Sequence, residues 1–309
     1  LMPAFLLRRL VQAVVTFFGA TLIVYALMFS IAEDPLQALA GEKPLSPSQR
    51  AQLTAQYHLD EPFIVQYGYY MKGLLTGNFG RAISGRPIAD VLAEAWPRTI
   101  QLSLIAISIV IIFGIAGGLY AALRRGRLFD QTSLALTLVV IGTPVFVIGT
   151  VFQSVFAVEL GWFRPSFAPE LGISTYILPA IVLGLLSLAT GMRLTRTSVA
   201  ENLRADYVRT AAAKGLTRPR IVGVHVLRNS LIPVITFIGA DLGALMGGAM
   251  VTEGIFNIPG VGGRLFQGIR LEDGPLVVTI VSLLILIYLV TNLIVDLLYA
   301  ALDPRIRHG

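Results

Sequence analysis

Six runs of mostly apolar residues, each about as long as a bilayer-spanning helix needs to be, dominate this sequence. They are Leu10–Ile31, Thr99–Leu123, Thr132–Val158, Tyr176–Leu194, Ser230–Thr252 and Leu276–Ala301. Such runs leave few choices. In hydrocarbon every backbone polar group must be paired within the segment, so each run predicts a helix and the chain predicts an all-α, polytopic bundle of six. Charged residues make up only 14% of the chain, against roughly 25% in an ordinary soluble domain. Pro144 interrupts the third run and Pro233 opens the fifth. The first run follows Arg8-Arg9 without an obvious small-residue cleavage site, so it reads as a retained span rather than a leader.

Basic residues predict the orientation. With the N-terminus cytoplasmic, Arg8 and Arg9, then Arg124, Arg125 and Arg127, fall inside. So do eight Arg and Lys of the stretch from Arg193 to Asn229, and Arg305 and Arg307 after the sixth run. That is 15 of the 24 basic residues. The others lie mainly in one long segment whose translocation is insensitive to charge. Both termini are therefore expected inside, and the net charge of +6 reflects topology in a lipid bilayer, not nucleic-acid binding. Absence of cysteine excludes thiolate chemistry, and His58, His225 and His308 are too scattered to suggest a metal site.

The organisation follows: residues 1–32 as N-terminus and first span, 33–98 as an extracytoplasmic segment, and 99–309 as a core with a cytoplasmic loop over 195–229. In the outer segment, Ser46-Pro47-Ser48-Gln49 and Asp60-Glu61-Pro62 are helix starts, and Gly77-Asn78 is a stop. A third, short helix is expected after Pro87. These signals predict a small helical cap, with an unstructured loop as the alternative. In the cytoplasmic loop, Ala211-Ala212-Ala213 favours helix, Gly215 stops it, and Arg218-Pro219 prevents one continuous helix. A short helix with basic flanks and a small apolar tip suits a peg seated in another protein's groove, or a helix lying on headgroups.

At this loop Tyr207-Val208-Arg209-Thr210-Ala211-Ala212-Ala213-Lys214-Gly215-Leu216 resembles the EAA loop of ABC-importer permeases, in its dipeptide/oligopeptide form. Gly215 matches the family glycine, whereas Arg209 stands at the glutamate position. His225-Val226-Leu227-Arg228 replaces Ile-x-Leu-Pro, and Leu227–Pro233 follows the peptide branch. The stretches Leu59–Tyr67, Gly77–Gly80, Gly85–Ile88, Trp96–Leu102, Glu253–Gly262 and Asp303-Pro304-Arg305 resemble the same branch in the same order. The resemblance implies a heteromeric importer: this permease, a second homologous permease, two ABC ATPases and an extracytoplasmic binding protein. Its substrate would be a di- or oligopeptide, with nickel, haem or glutathione as alternatives. The chain holds no GxxxxGK[ST] loop, so it cannot hold ATP in that manner, and its energy would come from partners or an ion gradient. The resemblance implies ATP and Mg²⁺ in the partner ATPases, with no cofactor or catalytic residue expected in this chain.

The resemblance assigns Arg209, Thr210, Ala211, Ala212, Ala213, Lys214, Gly215 and Leu216 to ATPase coupling. It also places Glu253, Phe256 and Arg264 at an outer gate or binding-protein contact, although a solvated helix-end role is the ordinary alternative for Glu253. Gly239, Gly243 and Gly247 share one narrow helix face, either a seam with the partner permease or packing within this chain. Asp241 lies about 160° from that face at about 100° per residue. An acid at this depth is costly and should face the pathway or a hydrogen-bonding partner. Asp296, with Asn292 and Tyr288 on its face, predicts an interface-level hydrogen bond, and Gly114 and Gly118 predict packing. A proton-coupled carrier or channel is the main rival, but two membrane acids are few for a relay. A membrane enzyme is a third class, without an acid pair or nucleophile–base set to support it.

Overall fold

The computed structural model describes residues 2–29 and 46–302, and among these it is mainly helical, without strands. Asp303-Pro304-Arg305, Arg307 and the side chain of Asp296 lie outside the described residues, as does the start of the segment over 33–45. Five helical stretches are long and apolar enough to cross a membrane, or six if a bent pair over Leu128–Glu159 is counted as one span. The chain divides into two compact units, residues 1–100 with 257–309, and residues 101–256.

In the first unit, α1 (Met2–Phe29) lies along α13 (Gly274–Leu302). The segment before the second span is folded, not loose. Helix α2 (Pro47–Tyr57) begins after Ser46, and α3 (Phe63–Thr76) begins after Pro62. Gly77 ends α3 in the left-handed conformation, φ 76°, where a side chain would be strained. Aromatic rings attach α3 to the spans: Tyr25 and Phe29 of α1 and Val278 of α13 form a buried cluster with Phe63, Tyr67 and Tyr70. The two tyrosines of α3 also find polar partners. Tyr67 Oη lies 2.8 Å from Thr21 Oγ1, and Tyr70 Oη donates to Ser282 Oγ at 2.7 Å. Ring bodies are thus buried while hydroxyls stay paired.

The helix expected after Pro87 is neither short nor separate. It is α4 (Ile88–Ile109), which continues through a π-helical turn, Val110–Gly114, into α5 (Ile115–Leu123). Pro97 lies inside it. Lipid-embedded helices tolerate such a proline because neighbouring groups satisfy the freed carbonyl.

In the second unit, α6 (Leu128–Gly142) and α7 (Val145–Phe152, extended by a π-helical stretch, Gln153–Glu159) replace the straight third span. They meet at 108°. Pro144 is the cause: it cannot donate a hydrogen bond, and it forces Thr143 into an extended conformation, φ −105° and ψ 129°. Helix α8 (Ile177–Asn202) is the central post, packed by α5, α6, α7 and α11 (Leu227–Ile255). Small residues let the backbones approach. A Cβ placed on Gly118 would lie 2.5 Å from the Met192 carbonyl oxygen, and one on Gly184 would lie 3.1 Å from that of Ala106. The expected packing role of Gly114 and Gly118 is therefore seen between α5 and α8.

Candidate functional site

Between α8 and α11 the chain forms α9 (Asp206–Ala213), then α10 (Arg218–Arg220) and a π-helical turn, Ile221–Val226. Asp206 in the first turn of α9 complements the helix dipole. The C-terminus closes with two reversed hydrogen bonds, Gly215 N to Ala212 O at 2.9 Å and Leu216 N to Ala211 O at 3.2 Å. With Gly215 at φ 80° this is a Schellman stop. Leu216 and Ala211 belong to one apolar cluster, the contact that accompanies such a stop. Pro219 then sits in the first turn of α10, where its missing N–H costs nothing.

One face of α9 is spoken for. Ala211 is buried among Ala122, Val199, Ile221 and Val226, with Val208 and Leu216 packed alongside. The expected tip contacts are corrected accordingly: Ala211 points into its own subunit, and Leu216 is half-buried. Arg209, Thr210, Ala212, Ala213, Lys214 and Gly215 remain exposed. The Arg209–Asp206 pair, 3.6 Å apart and exposed, adds little. What projects is a small-residue surface bearing two cations.

In α11, Gly243 is buried, Gly239 is half-buried, and Gly247 is exposed with open space where a Cβ would stand. Asp241 turns toward α8, where Ser187 is its hydrogen-bonding neighbour. Its Oδ2 is buried without a partner.

The three residues expected at an outer surface divide. Glu253 and Phe256 are buried, at 0% and 1% exposure, so the solvated-cap expectation for Glu253 fails and neither offers a surface contact. The end of α11 is covered from within its own unit. Phe167 N donates to Phe256 O at 2.8 Å, and Gln153 Nε2 reaches Ile255 O at 2.9 Å. Arg264, on α12 (Val261–Arg270), is half-buried and donates to Gln267 Oε1 at 3.1 Å.

Several anchoring residues carried no motif. In the first unit, Asp273 caps α13 through Leu276 N and holds Ile83 N at 3.0 Å. Burial pushes its carboxyl above the ordinary range, against the pull of these two donors. Thr99 Oγ1 accepts from Val261 N at 2.8 Å, fixing α12 to α4. In the second unit, Asp130 and Arg196 form a two-pronged pair, and Gly126 N donates to Asp130 Oδ2 at 2.8 Å. Asp130 stands just after the basic turn Arg124–Arg127, and a lone acid there was the available signal.

The family described as "Binding-protein-dependent transport system inner membrane component" matches residues 114–308, and its N-terminal companion matches residues 2–96. The di/tripeptide transport system permease protein DppB of Pseudomonas aeruginosa is 38% identical over 99% of this chain and 99% of its own length. The dipeptide transport system permease protein DppB of Escherichia coli K12 is 37% identical over the same shares. The glutathione transport system permease protein GsiC of E. coli K12 is 36% identical over 98% of this chain and 99% of its own. With five to six apolar spans, a loop helix presented between α8 and α11, and full-length identity above 35%, this chain belongs to the binding-protein-dependent transport family, the multi-pass membrane permeases of ABC importers.

Proposed function

We propose that this chain forms half of a peptide pathway through the cell membrane and passes ATP-driven motion to it through α9. The exposed face of α9 carries the reading: a small, convex, basic surface on a stiff, capped helix is shaped to seat in a groove of a partner. The partners are two ABC ATPases, which bind ATP and Mg²⁺, a second homologous permease, and an extracytoplasmic binding protein that delivers substrate. The basic residues near α9 favour a cytoplasmic side for it, with both termini inside and α2 and α3 outside.

Peptides are the substrate class the relatives favour, since di/tripeptide, dipeptide and glutathione permeases all handle short peptides. Asp241 is a pathway group in this reading, supported by its unpartnered buried oxygen. The open space at Gly247 favours the glycine face as a seam with the second permease. Affinity purification of the tagged chain from its own cells, followed by reconstitution with the binding protein, tests the whole proposal. The expected result is recovery of two ATPases and a second permease, with ATP-dependent uptake of labelled di- and tripeptides. Uptake by the chain alone, driven by a proton gradient, would refute it.

A further inference from the structure

The Asp130–Arg196 pair occupies a place that packing alone does not require. Asp130 is 2% exposed, and burying two charges costs so much that an apolar pair of similar volume is often as stable. What a two-pronged carboxylate–guanidinium contact supplies is a fixed register. It fixes the start of α6 against α8, with Gly126 N held at the same carboxylate.

The position of this register matters because of what stands on either side of it. Val199 and Ala200 follow Arg196 by three and four residues on α8, and Ala122 ends α5 on the other side of the Gly126 turn. These residues share one apolar cluster with Ala211 of α9. Cluster and ion pair together close a ring: α9 in the cluster with α8, Arg196 on Asp130, the turn at Gly126, the end of α5, and the cluster again. An open chain of helices bends when one member is pushed. A closed ring transmits the push to every member, including α6, which packs along α8 further on but whose first turn is held to the α9 platform by this pair and the four-residue turn Arg124–Arg127.

We propose that the Asp130–Arg196 pair is a positioning clamp that closes the frame beneath α9, so that movement of α9 carries α6 and α8 together and hydrolysis stays tied to transport. The proposal rests on the function inferred above. It is tested in vesicles holding the full complex and binding protein, by measuring ATP hydrolysed per peptide imported and the unfolding midpoint of the complex. Asp130→Asn and Arg196→Gln are expected to assemble, hydrolyse ATP and raise that ratio at least about fivefold, the lower end of ordinary intersite coupling. Arg196→Lys, which keeps the charge but loses the fork, is expected to fall between them and the wild type. The chain contains no cysteine, so Asp130→Cys with Arg196→Cys, bridged by a short bis-maleimide, should bring the ratio back toward the wild-type value.

An unchanged ratio in assembled Asp130→Asn or Arg196→Gln overturns the proposal, as does a bridged double-cysteine variant whose ratio stays as high as theirs. Failure of every variant to assemble assigns the pair to folding alone and overturns it as well. The wild-type complex separates the two claims. No ATP-driven peptide uptake there refutes the proposed function, whereas normal wild-type uptake with unaltered variants refutes only the clamp.

Discussion

Three glycines on one face of a span make a graded test of how α5 meets α8. At Gly118 an added Cβ would lie 2.5 Å from the Met192 carbonyl oxygen and 2.6 Å from Thr195 Cβ. Neither atom can swing away, since one is helix backbone and the other is the first carbon of a buried side chain. The helices must separate by a large fraction of an ångström, an overpacking cost of about 1–3 kcal/mol. Alanine recovers about 1 kcal/mol in helix propensity, so Gly118→Ala should cost up to about 2 kcal/mol. At Gly117 the nearest atom is Met192 Cε at 2.9 Å, the flexible end of a long side chain, so the two terms nearly cancel. At Gly114 the nearest atom is 3.6 Å away, ordinary contact, so Gly114→Ala should be neutral or stabilising by up to about 1 kcal/mol. Unfolding midpoints of the purified chain in an SDS titration would rank the three variants. Equal midpoints, or Gly118→Ala as stable as the wild type, would refute close backbone packing at this crossing.

Gly215→Val places a β-branched residue at φ 80°, a strain on the order of 1–3 kcal/mol. It should leave a complex that assembles but hydrolyses ATP without transport, while Gly215→Asn, which tolerates this region, should transport almost normally; coupled transport at the normal rate by the valine variant would count against the docking role of α9. Asp241→Asn should reduce uptake of peptides with a free amino terminus and spare N-acetylated ones, and equal uptake of both by the variant and the wild type removes Asp241 from the pathway. Asp273 holds its proton more tightly when folded than its ordinary value of 3.8. Its stabilising contribution is therefore complete below that pH and is lost as pH rises through the higher folded value, and Asp273→Asn should flatten this part of a midpoint-versus-pH series. An identical slope in the variant would exclude Asp273 as the cause.

Features decided by local chemistry were legible in the sequence. Pro62, Gly77 and Gly215 act within a few residues of themselves, and the helix boundaries of α3 and α9 fall where they direct. The apolar runs are equally local, because a span answers to the solvent around it. The third run was legible as a break at Pro144 but not as a 108° turn, since a proline marks where a helix stops without stating the angle at which the next begins. The short helix expected after Pro87 runs on into the second span for a related reason: tolerance of Pro97 inside it depends on groups supplied by other helices. Long-range pairings were silent. Arg196 counted only among the topogenic charges and Asp130 drew no expectation, because nothing in 66 residues of separation announces that they meet. Glu253 illustrates the opposite error, an acid at a helix end that reads as solvated and is buried by neighbours distant in sequence.

Under the proposed mechanism, stiffness beneath α9 matters more than the extent of its exposed face. Driving a two-state equilibrium from 1:99 to 99:1 takes about 5.5 kcal/mol of differential interaction. The chain has no phosphate-binding loop with which to generate that difference. It must enter from partners, and much of it through a helix of eight residues and the stop that follows it, with six exposed positions from Arg209 to Gly215. Contacts on so small a face can deliver this energy only if the face does not yield. A frayed helix would absorb it as local unfolding, which costs close to nothing at exposed segments. The Schellman stop at Gly215, the anchoring of Ala211 and the apolar cluster below it all raise the cost of fraying. Sequence variation on the exposed positions should accordingly alter partner choice, whereas softening the buried side should waste hydrolysis with the same partners bound.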